Sequence, residues 1–163
     1  MSNYYISTKE HPYHLSVGAV VINDKSEVLC HHFHSIEVPG TTFKDLYLLV
    51  RESLEPDESL EAAVRRGLLE EAGVEAAVQT YLGSIVSQFN REDIIAQKTT
   101  TYFLCKLISI DTSKREPTDP EAGSEITFLP IDDLIGKMKS QFERYKRSDF
   151  DETYILEETK KYL

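Results

Sequence analysis

The sequence has no tryptophan, only two cysteines, and no apolar run near the roughly 18 residues that span a membrane. Cys30 and Cys105 lie in no Cys-x-x-Cys pair and near no metal-spaced partner, so we interpret both as buried free thiols. Free thiols are typical of a reducing compartment. The N-terminal residues lack the basic start and apolar run of a signal peptide. We therefore expect a cytoplasmic protein that does not contact membranes.

Positive charge is scarce as well. The chain has 18 Lys and Arg residues against 28 Asp and Glu residues, which gives a net charge of −10. Phosphate backbones repel so acidic a chain, so nucleic acid is not expected as a partner. A phosphorylated small molecule could still bind with the help of a metal ion or a local basic patch. The length of 163 residues and the hydrophobic content of 40% fit one globular domain, residues 1–163.

Hydrophobic periodicity predicts the secondary structure of this domain. Short β-branched and apolar runs predict six strands, at residues 16–23, 27–34, 46–50, 78–88, 99–110 and 125–129. Apolar residues then recur at four-residue steps from Leu60 to Ala72 and predict a helix over residues 59–72 that stops at Gly73. Further helices are predicted at residues 130–139 and 151–162. This order favours an α/β/α sandwich with a mixed β-sheet.

Most of the negative charge is concentrated around the first predicted helix. Residues 52–75 hold eight acidic and two basic side chains, a local net charge of −6. Hard divalent cations take carboxylate oxygens as ligands. Glu70 and Glu71, near the end of the helix, could therefore hold a cation beside Arg66. A solvated acidic face with an ordinary Arg66–Glu70 pair is the alternative interpretation.

The spacing within this segment resembles the Nudix box. Seven residues fall on the pattern of that family: Glu58, Arg66, Leu68, Glu70, Glu71, Gly73 and Val74. The flanking strands and residues 125–134 also look like the Nudix fold, and the resemblance covers roughly residues 15–138. It implies a Nudix-type α/β/α sandwich with a mixed β-sheet, with a C-terminal helix at about residues 151–162.

Two positions depart from the pattern of the family. Glu52 stands where the first glycine of the box is expected, and Gly67 stands where the family usually has a metal-binding glutamate. The resemblance places residue 52 next to the metal, so the Glu52 side chain could fill the space emptied at Gly67. Glu121 and Glu125 are alternative metal ligands, because the family often supplies a further acid from this late loop and strand.

The resemblance implies a metal-dependent hydrolase that cleaves a diphosphate linkage in a nucleoside diphosphate derivative or a similar phosphorylated metabolite. Mg²⁺ or Mn²⁺ would bind Glu70 and Glu71, with Glu52 as a compensating ligand, and Arg66 would orient these carboxylates. These four residues are the expected catalytic set. Because fold alone does not imply function, two alternatives stay open. They are a catalytically impaired domain that binds a nucleotide-like ligand without turnover, and a protein-interaction module. A homodimer is also left open.

Substrate-binding residues are expected on a later strand. Residues 98–104 resemble a strand of Nudix enzymes in which lysine and tyrosine face the substrate, and Lys98 and Tyr102 share one strand face. These two side chains could contact phosphate together with base or ribose. A threonine-rich strand with a half-buried tyrosine is the alternative. Arg51 stands where the family often has a glycine close to substrate, so it joins the expected substrate-binding residues.

A histidine-rich stretch lies on the second predicted strand. His32 and His34 share a strand face, which is compatible with metal binding. Zinc sites need three or four ligands, and no clear third ligand lies nearby in the sequence. We therefore interpret these histidines as a solvated edge or a wall of the substrate pocket.

Overall fold

The computed structural model describes residues 5–38 and 40–163. In these ranges one mixed sheet contains β1 (Tyr13–Ile22), β2 (Glu27–Val38), β3 (Thr41–Leu48), β4 (Val50–Ser53), β5 (Val74–Arg91), β6 (Ile94–Ile110) and β7 (Glu125–Pro130). The α-helices are α1 (Leu60–Gly67), α2 (Ile131–Tyr145) and α3 (Thr153–Thr159). The predicted α/β fold with a mixed β-sheet is confirmed. Among the described residues, no helix combines the length and apolar character needed to cross a membrane.

The sheet opens between its first two strands. β1 and β2 pair at Ile22 and Val28, next to the turn that joins them. Farther from this turn, β4 pairs antiparallel with β1, and β7 pairs antiparallel with β2. On the other side of β1, β6 runs parallel and is followed by antiparallel β5. The edges of β4 and β7 therefore border an opening into which side chains from several elements can extend.

Two buried clusters, one on each face of the sheet, complete the α/β/α sandwich. On one face, α2 and α3 bury Met138 and Leu156 against strand residues. On the other face, α1 buries Val64 and the turn after it buries Leu68. Each helix buries its apolar stripe in this way, and the loops between the layers are free to carry polar side chains.

The predicted helix at residues 59–72 is present, but its last part has a wider turn. Ser59 caps α1 by accepting a hydrogen bond from the Ala62 amide. The chain then forms a π-helical turn over Leu68–Ala72, and Gly73 ends it with a left-handed φ of 66°. A side chain at residue 73 would collide with the Asp111 carbonyl, so this position requires glycine. Such π-turns are frequent at functional sites, and this one carries both adjacent glutamates.

The prediction of a single strand at residues 46–50 is wrong. β3 ends at Leu48 and β4 begins at Val50, so the apolar run passes from one strand to another. The amide of the intervening Leu49 donates to the buried carboxylate of Glu152. The apolar run indicates that these residues are buried. It does not indicate where one strand ends and the next begins.

Candidate functional site

Five carboxylates from three segments lie together beyond the C-terminal end of α1. This carboxylate cluster consists of Glu52 from β4, Glu70 and Glu71 from the π-turn, and Asp119 and Glu121 from the loop before β7. One carboxylate oxygen from each of Glu52, Glu70 and Asp119 lies within 4.8 Å of the other two. A ligand set made only of oxygen atoms suits Mg²⁺ or Mn²⁺.

The electrostatics of the carboxylate cluster also fit a cation. Burial raises the pKa of Glu71 well above its usual value, and the charges of Glu121 and Glu52 raise it further. Burial and a hydrogen bond with Asp119 raise the pKa of Glu121 to about 8. Like charges that destabilise each other's ionised form are relieved by a divalent ion between them.

The Glu52 side chain lies directly over Gly67. A β-carbon at residue 67 would be 2.5 Å from Glu52 Cβ and 3.1 Å from Glu52 Cγ. The space that a side chain at residue 67 would need is therefore occupied by Glu52, as the two departures from the box led us to expect. Its role as a metal ligand stays a prediction.

Arg66 fixes the relative positions of the carboxylates around it. Its guanidinium donates to both carboxylate oxygens of Glu58, at 2.8 and 3.0 Å, and to the Ser53 carbonyl at 2.8 Å. Its Nη1 lies 3.3 Å from Glu52 Oε2 and 3.5 Å from Glu70 Oε2. Because guanidinium is planar and rigid, this arrangement joins β4 to the π-turn in one geometry.

His31 holds the buried Glu71. His31 Nε2 lies 3.0 Å from Glu71 Oε2, and His31 Nδ1 lies 2.7 Å from Ser124 Oγ. Burial, aided by the charge of Arg115, lowers the pKa of His31 to about 3, so the ring is neutral. Because both ring nitrogens have partners, His31 fixes one oxygen of Glu71.

Arg115 attaches the acidic loop to the π-turn. Its guanidinium donates to the backbone carbonyls of Glu71 and Glu121, both at 2.6 Å, and of Ser124 at 2.8 Å. These bonds bring Asp119 next to Glu52 and Glu70. No sequence pattern marks Asp119 or Arg115, because loop residues have no periodicity to place them in space.

Glu125 lies away from the carboxylate cluster. It pairs with His32 across β2 and β7, and the side chain of His32 leaves the face of β2 opposite to that of His31. The Glu125 carboxylate instead lies 3.0 Å from His34 Nε2. The prediction of Glu125 as an alternative ligand in the cluster is therefore wrong, whereas Glu121 does lie in the cluster.

Arg51 and Lys98 line a cleft of about 750 Å³. Phe89 offers an aromatic surface in this cleft and Arg91 adds positive charge, whereas Arg147 is paired with Asp149, which also lines the cleft. Arg51 and Glu52 are consecutive on β4, so their side chains leave opposite faces, and no residue of the carboxylate cluster lines the cleft. The cleft is still near the cluster, because the charge of Arg51 lowers the pKa of Glu71. The substrate-binding roles of Arg51 and Lys98 stay predictions: both residues line the cleft, and the Arg51 guanidinium also donates to the Asp149 carbonyl and lies 3.7 Å from Glu152.

The prediction that Tyr102 contacts substrate is wrong. Its ring is only 1% exposed and packs over Gly18, and its hydroxyl donates to the carboxylate of Glu152. Glu152 precedes α3, so the C-terminal segment covers this part of the face of β6. Lys98 lies on the same face of β6, but the C-terminal segment does not bury it and it lines the cleft.

Replacing Tyr102 with Phe tests this structural role. We expect the free energy of unfolding to fall by about 1–3 kcal/mol, because Glu152 loses a buried hydrogen-bond donor. Any turnover and substrate KM should stay unchanged. Denaturant unfolding and steady-state kinetics measure the two effects. Tyr81→Phe is the matched control. The Tyr81 hydroxyl is exposed and lies 3.2 Å from Ser84 Oγ, so its removal should change the free energy of unfolding only slightly. A large change in KM with unchanged stability would contradict this assignment.

A family model for the NUDIX domain matches residues 12–149 of the chain. None of the curated proteins compared with the chain matches its sequence. Solved structures do resemble it. A NUDIX hydrolase from Nitrosomonas europaea aligns with a TM-score of 0.64 at 18% identity, over 90% of this chain and 88% of that one. A MutT protein from Methanosarcina mazei Go1 aligns with a TM-score of 0.57 at 22% identity, over 87% of this chain and 99% of that one. These likenesses concern the fold alone.

Proposed function

The chain belongs to the NUDIX family, and from this premise we propose that it is a metal-dependent hydrolase of a diphosphate linkage in a nucleoside diphosphate derivative. The observation that carries the proposal is the convergence of oxygens from Glu52, Glu70 and Asp119 within 4.8 Å. A cleft lined by Arg51, Lys98 and an aromatic ring lies near enough for the charge of Arg51 to lower the pKa of Glu71. Phosphoryl transfer depends mainly on positioning and charge neutralisation, which these two features can supply.

Mg²⁺ or Mn²⁺ is the expected cofactor. Glu52, Glu70 and Asp119 would hold the ion, with Glu71 beside them. When bound, such an ion polarises phosphoryl oxygens and lowers the pKa of a coordinated water. The protein contributes a fixed arrangement, in which Arg66 sets the positions of Glu52 and Glu70, and a bound cation would offset the repulsion between these two carboxylates.

The other side chains around the site bind substrate and accept a proton. Arg51 and Lys98 would bind phosphate oxygens, and Phe89 would stack on a base or sugar in the cleft. Glu121 is outside the three converging ligands, and in its ionised form it would accept a proton from the attacking water. The products would be a nucleoside monophosphate and a phosphorylated remainder.

A substrate panel tests the proposal. The protein is incubated with Mg²⁺ or Mn²⁺ and with nucleoside triphosphates, nucleotide sugars, ADP-ribose and dinucleoside polyphosphates, and phosphorylated products are measured. Turnover of one class that disappears on addition of a chelator supports a hydrolase. Saturable binding of one compound with no turnover above background supports a binding domain instead and overturns the proposal.

The pKa of Lys98 predicts how substrate affinity depends on pH. Burial and the neighbouring Arg51 lower this pKa to about 8, so Lys98 carries its charge below that pH and loses it above. We expect KM to rise by about tenfold between about pH 7 and about pH 9, because a neutral amine binds phosphate weakly. Lys98→Arg keeps its charge throughout and should flatten this rise.

The control for this prediction lies on the same strand. Lys106→Arg makes the same change on β6 outside the cleft, where Lys106 is exposed near Asp24, and should leave the pH profile of KM unaltered. Steady-state kinetics of each variant across this pH range measure the effect. An equal rise of KM in wild type and Lys98→Arg would exclude Lys98 as its cause.

A further inference from the structure

A second group of metal-binding side chains lies on the opposite face of the sheet from His31. His32 and His34 leave the same face of β2, because they are two residues apart on one strand. Glu125 on β7 is the direct antiparallel partner of His32, so its side chain joins them. We call these three residues the His32 site. The sequence shows the two histidines but not the third ligand, because β7 is distant in the chain.

The donor atoms of the His32 site converge. One ligand atom from each of the three residues lies within 4.8 Å of the other two. His34 Nε2 is 3.0 Å from Glu125 Oε2, and His32 Nδ1 is 4.0 Å from the same oxygen. The rings of His32 and His34 have centroids 4.2 Å apart. Two imidazole nitrogens and one carboxylate oxygen are thus already close together without any rearrangement of the backbone.

Asp45 determines which nitrogen of His32 is free. Its Oδ1 lies 2.7 Å from His32 Nε2. An ionised carboxylate only accepts hydrogen bonds, so in a neutral ring the proton is on Nε2 and the lone pair is on Nδ1. That nitrogen lies 4.0 Å from Glu125 Oε2, close enough for one cation to bind both atoms.

Stacking against an aromatic side chain also holds the ring of His32 in place. It stacks on Tyr47 with centroids 4.2 Å apart and an interplanar angle of 6°. The backbone of Asp45, whose carboxylate bonds His32, has a left-handed conformation with a φ of 53°. The free nitrogen therefore has a fixed direction, which lowers the entropy cost of binding a metal ion.

We propose that His32, His34 and Glu125 form a second metal site that binds a borderline divalent cation such as Zn²⁺, Co²⁺ or Ni²⁺. Mixed nitrogen and oxygen donors suit these ions, whereas the carboxylate cluster offers oxygen alone. Asp45 acts as the outer carboxylate that orients a ligating histidine, as is usual in such sites. Water completes the coordination, because His34 and Glu125 face solvent.

The bound cation would join β2 to β7. Glu125 follows Ser124, and Ser124 contacts His31, which holds Glu71. The second metal site thus fastens the strand that supports the carboxylate cluster. It does not depend on the proposed hydrolase activity, because its ligands lie on the other face of the sheet.

Zn²⁺ calorimetry and Co²⁺ absorbance test this site on the full chain. Excess Mg²⁺ is present throughout to occupy the carboxylate cluster. Wild-type protein should bind one Zn²⁺ under these conditions, and Co²⁺ should show the visible bands of a nitrogen-containing site. His34→Ala should weaken Zn²⁺ binding by about tenfold or more. The His34 side chain is 74% exposed, so this variant should fold normally.

Two further variants separate the site from its alternatives. Asp45→Asn should weaken Zn²⁺ binding by about tenfold through its effect on His32, since Asn tolerates a positive φ and should preserve the fold. Ser35→Ala, an exposed change on the same strand, is the matched control and should not alter binding. Equal Zn²⁺ affinity of wild type and His34→Ala would overturn the proposal. So would loss of Zn²⁺ binding in Glu52→Gln, because the ion would then occupy the carboxylate cluster.

Discussion

Glu52→Gln is expected to lower metal-dependent turnover by about 100-fold, because the change removes one negative charge from the proposed metal site. Glu52 Oε1 accepts a hydrogen bond from the Ser53 amide at 2.8 Å, and glutamine can keep this bond. The fold should therefore survive, and the far-ultraviolet circular dichroism should match that of wild type. Calorimetry should show Mn²⁺ binding at least about tenfold weaker, a readout that does not require turnover.

Glu55→Gln is the matched control for this change. Glu55 also lies near Arg66, at 3.8 Å, but its side chain is 63% exposed and it is not among the three converging ligands. The same loss of charge there should change turnover by less than about twofold, as is usual for screened surface charges. If Glu52→Gln has no more effect than Glu55→Gln, Glu52 is not a ligand and Glu121 becomes the better candidate.

Gly67→Glu, which restores the usual residue of the box, is expected to destabilise the protein and to abolish turnover. Its Cβ would lie 2.5 Å from Glu52 Cβ, and overpacking of this kind costs about 1–3 kcal/mol. Adding Glu52→Gly removes the collision, so the double variant should recover both stability and metal-dependent turnover. Chemical denaturation and kinetics of the two single variants and the double variant give the coupling free energy between the positions.

Two alanine substitutions isolate the steric part of this prediction. Gly67 and Gly136 both lie in helices, but a β-carbon at Gly136 would have no neighbour within 4 Å. Gly136→Ala should therefore stabilise the protein by up to about 1 kcal/mol through helix propensity alone. Gly67→Ala should destabilise the protein, although it brings the same increase in helix propensity. Stabilisation of both variants to the same extent would show that Glu52 moves aside freely.

The sequence predicts the parts of the site that lie on a regular element. Arg66 and Glu70 are four residues apart on the predicted helix, and Arg66 does contact Glu70. Glu58 precedes this helix, and only the spacing of the box connected it with Arg66, which it also contacts. The substitution at Gly67 pointed to Glu52 in the same way, because both positions belong to one local pattern. The π-turn could not be foreseen, since it keeps the apolar spacing of an α-helix over so short a segment.

Other parts of the site depend on contacts between distant segments. Asp119 reaches the cluster because Arg115 attaches its loop to the backbone of Glu71, an interaction that no periodicity indicates. Strand alternation correctly predicted that Lys98 and Tyr102 lie on one face of β6. It could not show that the segment around Glu152 buries Tyr102 and leaves Lys98 in the cleft. The local sequence shows which side chains share a face of a strand. Whether a side chain on that face is buried depends on the packing of the whole chain.

The contact between Glu52 and Gly67 has an evolutionary consequence. Each glutamate codon differs by a single base from one of the glycine codons, so either exchange is possible by one mutation. However, a chain with glutamate at both positions is overpacked, and a chain with glycine at both positions lacks the carboxylate that either arrangement provides. If Glu52 is the metal ligand proposed above, both one-step intermediates between the two arrangements would be impaired. The two positions would then form an epistatic pair separated by a fitness valley, and a lineage that has acquired one arrangement would be expected to retain it.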